Sequence, residues 1–121
     1  MTMQRIITEL GSGADLHGLD MTKAAKRAVE DALRHSSLSL FHGLKLKPQD
    51  MRVIVKIGAP DPDGVDRDEV AKLLPYGTIE IEVEQGGVTA AGMGGPGDTV
   101  IVAAAVTALV DLPEGRWTLT E

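Results

Sequence analysis

Asp15 and His17 stand two residues apart in the segment Gly11-Ser12-Gly13-Ala14-Asp15-Leu16-His17-Gly18. In extended backbone, residues so spaced point to one side. A carboxylate and an imidazole placed this way can share a proton, the aspartate orienting the histidine as a general base. The same pair can supply two ligands to a divalent metal. The plainer alternative is a structural turn, with Asp15 bonded to backbone and His17 capping or packing. Ser12 and Lys56 complete the candidate catalytic set. Lys56 lies within the apolar stretch Met51–Ile57, where burial would lower its proton affinity and make it a base or nucleophile. Its plainer role is pairing with Glu80 or Glu82. His35 and His42 have no partner pattern.

Glycine backbone supplies the candidate ligand-binding positions: Gly11, Gly13 and Gly18 in the first segment, Gly94 and Gly95 in a second, followed by Asp98 and Thr99. Of the 14 glycines, three fall in Gly11–Gly18 and six in Gly86–Gly97. Such concentration marks unusual backbone geometry or close approach to another group. Free N–H groups between a strand and a helix favour anions, so a small polar or anionic ligand is the expected occupant. The segment lacks the GxGxxG spacing of dinucleotide sites and the Lys-Ser/Thr pair of the Walker loop, which ranks nucleotide binding last. The plainer role of Asp98 and Thr99 is the turn into the final strand.

The elements that must position these residues are legible in outline. Arg5–Leu10 reads as a strand, with Gly11–Gly18 as the loop after it. Asp20 or Thr22 can cap the following helix, which runs to about His35. Its apolar positions, Ala24, Ala25, Ala28, Val29, Ala32 and Leu33, form one narrow, mostly alanine stripe, so the helix can lie close to a sheet. Residues 36–50 read as a connection anchored by Leu38, Leu40, Phe41, Leu44 and Leu46. Met51–Ile57 alternates as a strand. Asp66 starts a short helix, with Glu69 placed as in a capping box, which ends at Pro75-Tyr76-Gly77. Thr78–Glu84 alternates cleanly, and pairing with Met51–Ile57 would set its glutamates against Arg52 and Lys56. Gln85–Gly97 reads as a glycine-rich loop. Thr99–Val110 is nearly all apolar; its length permits a buried helix, while its β-branched opening favours a strand. Pro113-Glu114-Gly115 marks a turn, and Trp117 a packing anchor.

The expectation is therefore one α/β domain over residues 1–121, of order β-α-β-α-β-β, with both helices on one face of a single sheet. A strand apolar on both faces must be covered on both, so the free face calls for another copy: self-association into a homo-oligomer.

Composition narrows the function classes. The formal net charge is -6, with 12 Lys and Arg against 18 acids. The cations gather on one helix, at Lys23, Lys26, Arg27 and Arg34, mixed with Glu30 and Asp31; this reads as a solvated face rather than a phosphate-neutralising one, and argues against nucleic acid as a partner. With no cysteine, disulfides and thiolate metal sites are excluded. No secretory signal pattern and no apolar run of roughly 18 residues is seen, so a cytoplasmic protein without a membrane partner is expected. One Phe, one Tyr and one Trp leave the core to Val, Ile, Leu and Ala.

The segment Gly11–Gly18 matches the pattern GxGxDxHG, and by it the chain resembles a conserved-hypothetical family named after a Lin-type locus, found in bacteria and some plants. The likeness continues through Asp20–Ala28, Val55-Lys56-Ile57-Gly58, Pro75-Tyr76-Gly77 and Gly97-Asp98-Thr99-Val100-Ile101. That family has no established activity, so the resemblance implies where a site lies and not what it does. More distantly, the length, element order and glycine-rich loop before an apolar strand look similar to one repeat of the ring-opening amidohydrolases, the cyanuric acid hydrolase and barbiturase group. That likeness implies a homotrimer with sites between subunits and a hydrolase-like activity using a Ser and a Lys, for which Ser12 and Lys56 are the candidates. The group's Ser-Gly motif before the last strand is absent; this loop reads Gly92-Met93-Gly94-Gly95-Pro96-Gly97.

Overall fold

The structure, a computed structural model, describes residues 3–16, 18–34, 51–74, 77–92 and 95–111. The elements are β1 (Met3–Asp15), α1 (Met21–Arg34), β2 (Met51–Ala59), a 3-10 turn (Pro62–Gly64), α2 (Arg67–Ala71), β3 (Thr78–Gln85), β4 (Val88–Gly92) and β5 (Gly95–Asp111). Five strands form one sheet of order β1-β5-β2-β3, with β4 also paired to β5. β5 is antiparallel to β1, β2 and β4. β2 and β3 run parallel, joined through α2.

Strand alternation sorts the sheet into two faces. On one, Val100, Val102, Ala104, Val106 and Ala108 of β5 and Met51, Val53, Val55, Ile57 and Ala59 of β2 are buried. They meet Met21, Ala24, Ala25, Ala28, Val29 and Ala32 of α1 and Val70 and Leu74 at α2 in a single core. Helices therefore cover one face, as expected. The alanine stripe does what its small side chains allow: it brings α1 against β1 at backbone distance and packs it on the side chains of β5.

Caps fix the helix ends. The Asp20 carboxylate accepts from Lys23 N–H at 3.0 Å, so Asp20 is the cap of α1. The other candidate, Thr22, bridges instead to the start of α2: its hydroxyl donates to Gly64 C=O at 3.1 Å and accepts from Asp66 N–H at 2.8 Å. Asp66 caps α2, accepting from the N–H groups of Asp68 and Glu69. The Glu69 carboxylate, expected to close a capping box, meets Lys72 at 3.0 Å and Lys26 at 3.7 Å instead.

Two boundaries differ from the sequence expectation. β1 does not stop at Leu10 but continues through Gly11–Asp15, paired with β5 as far as Asp15 opposite Val100. The glycines, which usually weaken a strand, keep it here because α1 lies across them. The second glycine-rich segment is not all loop either. A turn at Gly86-Gly87 leads into β4, whose Val88 and Thr89 pair with Ile101 and Val100; Gly87 adopts φ +66, a conformation open to glycine at little cost. The connection 36–50, Pro75-Tyr76 and the tail with Trp117 lie outside the described residues. Among the described residues no helix is long and apolar enough to cross a membrane.

The second sheet face carries Leu10, Ser12 and Ala14 of β1, Ile101, Ala103, Ala105, Thr107 and Leu109 of β5, and Ile54 of β2, as the registers place them. Leu10 is 68% exposed, Val88 55% and Ile101 38%. Beside this apolar field runs a charged one: Arg52 bonds Glu80, the cross-strand pairing that the alternation of β3 predicts, while Lys56 lies 3.4 Å from Glu84 and not, as expected, from Glu80 or Glu82, because the parallel register sets Glu84 just beyond it.

Candidate functional site

The candidate residues gather where β1 ends and α1 begins. A methyl group on Gly11 would lie 2.3 Å from Ala28 O and 2.4 Å from Ala32 N; one on Gly13 would lie 2.4 Å from both Ala24 O and Ala28 N. These distances leave no room for any side chain. The group that approaches the two glycines is thus the backbone of α1. The spacing is a match of periods: glycines two apart on a strand rise about 6.7 Å, and alanines four apart on a helix rise about 6 Å, so each glycine sits between successive alanines of the stripe.

Asp15 closes the strand. It is 3% exposed, and its carboxylate accepts from Asp20 N–H at 2.9 Å. Lys23 and Arg27, both on α1, stand 3.7 and 3.9 Å from its other oxygen. A charge this deep needs such partners, and here they come from the helix it introduces. Between Asp15 and Asp20 the chain reverses through Gly18 at φ +101 and Leu19 at φ 55. Leu19 is in the left-handed region, at a cost of about 1 kcal/mol or more for a side chain with a Cβ, and the bond from Asp15 to Asp20 holds that turn shut. Thr99 is the other buried polar residue among those described; its hydroxyl donates to Leu16 C=O at 3.4 Å, tying the same turn to β5. Asp15 and Thr99, picked out separately in the sequence, therefore meet at one joint.

The remaining candidates lie elsewhere. Ser12 stands exposed on the open face, opposite Ala103, and Lys56 on the same face opposite Ala105, with β5 between them. Lys56 has half its side chain exposed and a carboxylate partner in Glu84, so the burial that would turn it into a base is missing in the single chain. Gly95 opens β5 opposite Gly92. His17 and Gly94, and the side chain of Asp98, lie outside the described residues. Among the described residues no three His, Asp or Glu gather into a metal-binding group, and a cation at Asp15 would have to displace Lys23 and Arg27.

Sequence reasoning missed Lys23 as a partner of Asp15, and it missed two participants at the strand edge, Arg27 and Asp31. Arg27 donates to Ala14 C=O, and Asp31 accepts from Ser12 N–H at 3.0 Å. Both sit four apart on α1, beside the alanine stripe, and the signal for them was that register.

A family model described as Lin0512_fam, conserved hypothetical protein, matches residues 5–108. No curated protein matches. Among solved structures, the chain is similar to a crystal structure described as an FtsZ-like protein of unknown function from Nostoc punctiforme: 34% identity, TM-score 0.79, covering 93% of this chain and 99% of that one.

Proposed function

The chain belongs to that conserved hypothetical family, and from this premise we propose that it works as a non-catalytic homo-oligomer, in which Gly11–Gly18 builds the joint between β1 and α1 and the open sheet face carries the contact with further copies. One observation carries this reading. β5 is the central strand, paired on both sides, yet its outward residues are Ile101, Ala103, Ala105, Thr107 and Leu109. The solvated side of an antiparallel sheet is ordinarily polar; a contiguous apolar field there marks a contact surface.

A second copy suits the face in charge and in size. Arg52 and Lys56 on β2 are matched by Glu80 and Glu84 on β3 within the chain, so a second copy laid on this flank meets neutralised pairs rather than bare cations. Four strands at about 4.8 Å spacing and eight residues at about 3.3 Å give a flat area of roughly 500 Å² before side-chain relief is counted, the same order as the 800 Å² or so that each partner buries in a standard interface. Within the motif, Gly11 and Gly13 meanwhile meet the backbone of α1 and Asp15 meets the turn that follows it. Light scattering on the purified chain should give a multiple of 12.8 kDa, and that multiple decides between a dimer and the trimer that the amidohydrolase likeness implies; the monomer mass at high concentration would end the reading.

A second reading, a small-molecule site at the subunit seam with hydrolase-like chemistry, draws on one observation: Ser12 and Lys56 share the open face. A covering copy would desolvate Lys56 and make it more reactive. Calorimetry with small anionic and cyclic amide compounds tests it. Binding that the Lys56→Ala substitution abolishes supports the seam site; no binding by the assembled wild type removes it.

A further inference from the structure

We propose that Arg27 and Asp31 form a clasp that closes the outer edge of β1 against the addition of another strand, so that copies of this chain cannot extend one another's sheets through that edge. This concerns a different surface from the open face and stands on its own observations.

Among the described residues β1 ends the sheet order β1-β5-β2-β3, so one of its edges faces away from β5. Along a strand the N–H and C=O of one residue point to one side and those of the next to the other. The Ser12 N–H reaches Asp31 and the Ala14 C=O reaches Arg27, which identifies Ser12 and Ala14 as outward-facing. Such groups are a template for pairing with another chain. Here two of them are taken by side chains of the chain's own helix. Helix and strand registers make this possible: residues 27 and 31 are one helical turn apart, residues 12 and 14 one strand repeat, and the two rises agree to within about 1 Å. The bare glycines at 11 and 13 set α1 low enough for a side chain to bend over the edge. At the opposite end of the sheet, β3 carries Glu80, Glu82 and Glu84, and charge is another known guard of an edge.

The test uses the full-length chain. Amide exchange measured by NMR should show Ser12 N–H protected in the wild type although it faces away from β5, and the Asp31→Ala substitution should speed its exchange about tenfold or more while leaving Gly11 and Gly13 protected. The Arg27→Gln, Asp31→Ala double variant, folded by circular dichroism, should form assemblies larger than the wild type with an infrared signature of intermolecular strand pairing. Should the double variant fail to fold, Ser12 exchange in the Asp31→Ala single variant decides alone. A wild-type Ser12 amide that exchanges freely, unchanged exchange on Asp31→Ala, or a folded double variant with the wild-type size distribution overturns the proposal.

Discussion

Glycine 11 and Glycine 13 are pinned by neighbours rather than by their own backbone angles, since any Cβ would enter the backbone of α1. Overpacking against a helix backbone cannot be relieved by a side-chain rotation. Gly11→Ala and Gly13→Ala should each destabilise the chain by about 2 kcal/mol or more, read by urea denaturation. Asp15→Ala should cost about 1–3 kcal/mol, because it strips the Asp20 N–H of its acceptor and leaves Lys23 and Arg27 facing an emptied site. If the proposed structural role is right, this loss accompanies a shift in melting temperature and no loss of any ligand. The residues themselves were visible in the sequence: clustered glycines meant close approach, and the aspartate two positions on meant either a partner of His17 or a backbone anchor of the turn. What approaches was not visible. A strand followed by glycines and a helix reads equally well as an anion loop, and only the alanine period of α1, matched against the glycine spacing, separates the two.

At the scale of elements, α2 is a helix of five residues and depends on its cap. Asp66→Ala should cost about 1 kcal/mol, measurable by thermal denaturation. The Lys72 ammonium beside Glu69 holds that carboxyl below its usual range, through a hydrogen bond first and charge second, and Glu69 in turn raises Lys72. Because the folded-state value of Glu69 is depressed, its contribution is present above the ordinary carboxylate range and fades as pH falls through the lowered value; that of Lys72 is present below the ordinary lysine range and fades as pH rises through the raised one. Both groups are exposed, so the effect on overall stability is small. NMR titration should place Glu69 below a free glutamate, and Lys72→Ala should return it upward. The alternating strands β2 and β3, their pairing with each other and the capped helices were legible because each rests on a short period; the parallel sense, which sets Lys56 beside Glu84, was not. β4 was not: five residues between glycines, with Val88 and Thr89 alone carrying strand character, give too little pattern. The extension of β1 escaped for the opposite reason, since glycine argues locally against a strand that the packing of α1 demands.

For the whole molecule, the one-sided cover of the sheet among the described residues was legible from an imbalance: Thr99–Val110 is apolar on both faces while the helices supply one buried stripe apiece. The structure places those helices together and leaves Leu10, Val88 and Ile101 outward. Removing such surface from water is worth about 25 cal/mol per Å², and burying a glutamate in it without a partner costs several times what one apolar contact returns. The measurement that bears most directly on the central claim is the molar mass by light scattering of the wild type beside Ile101→Glu, a change on the outward side of the central strand that leaves the core untouched. The wild type should show a multiple of the chain mass and the folded variant the single-chain mass. A wild type that is a single chain at high concentration, or a folded Ile101→Glu variant that keeps the wild-type mass, would contradict it.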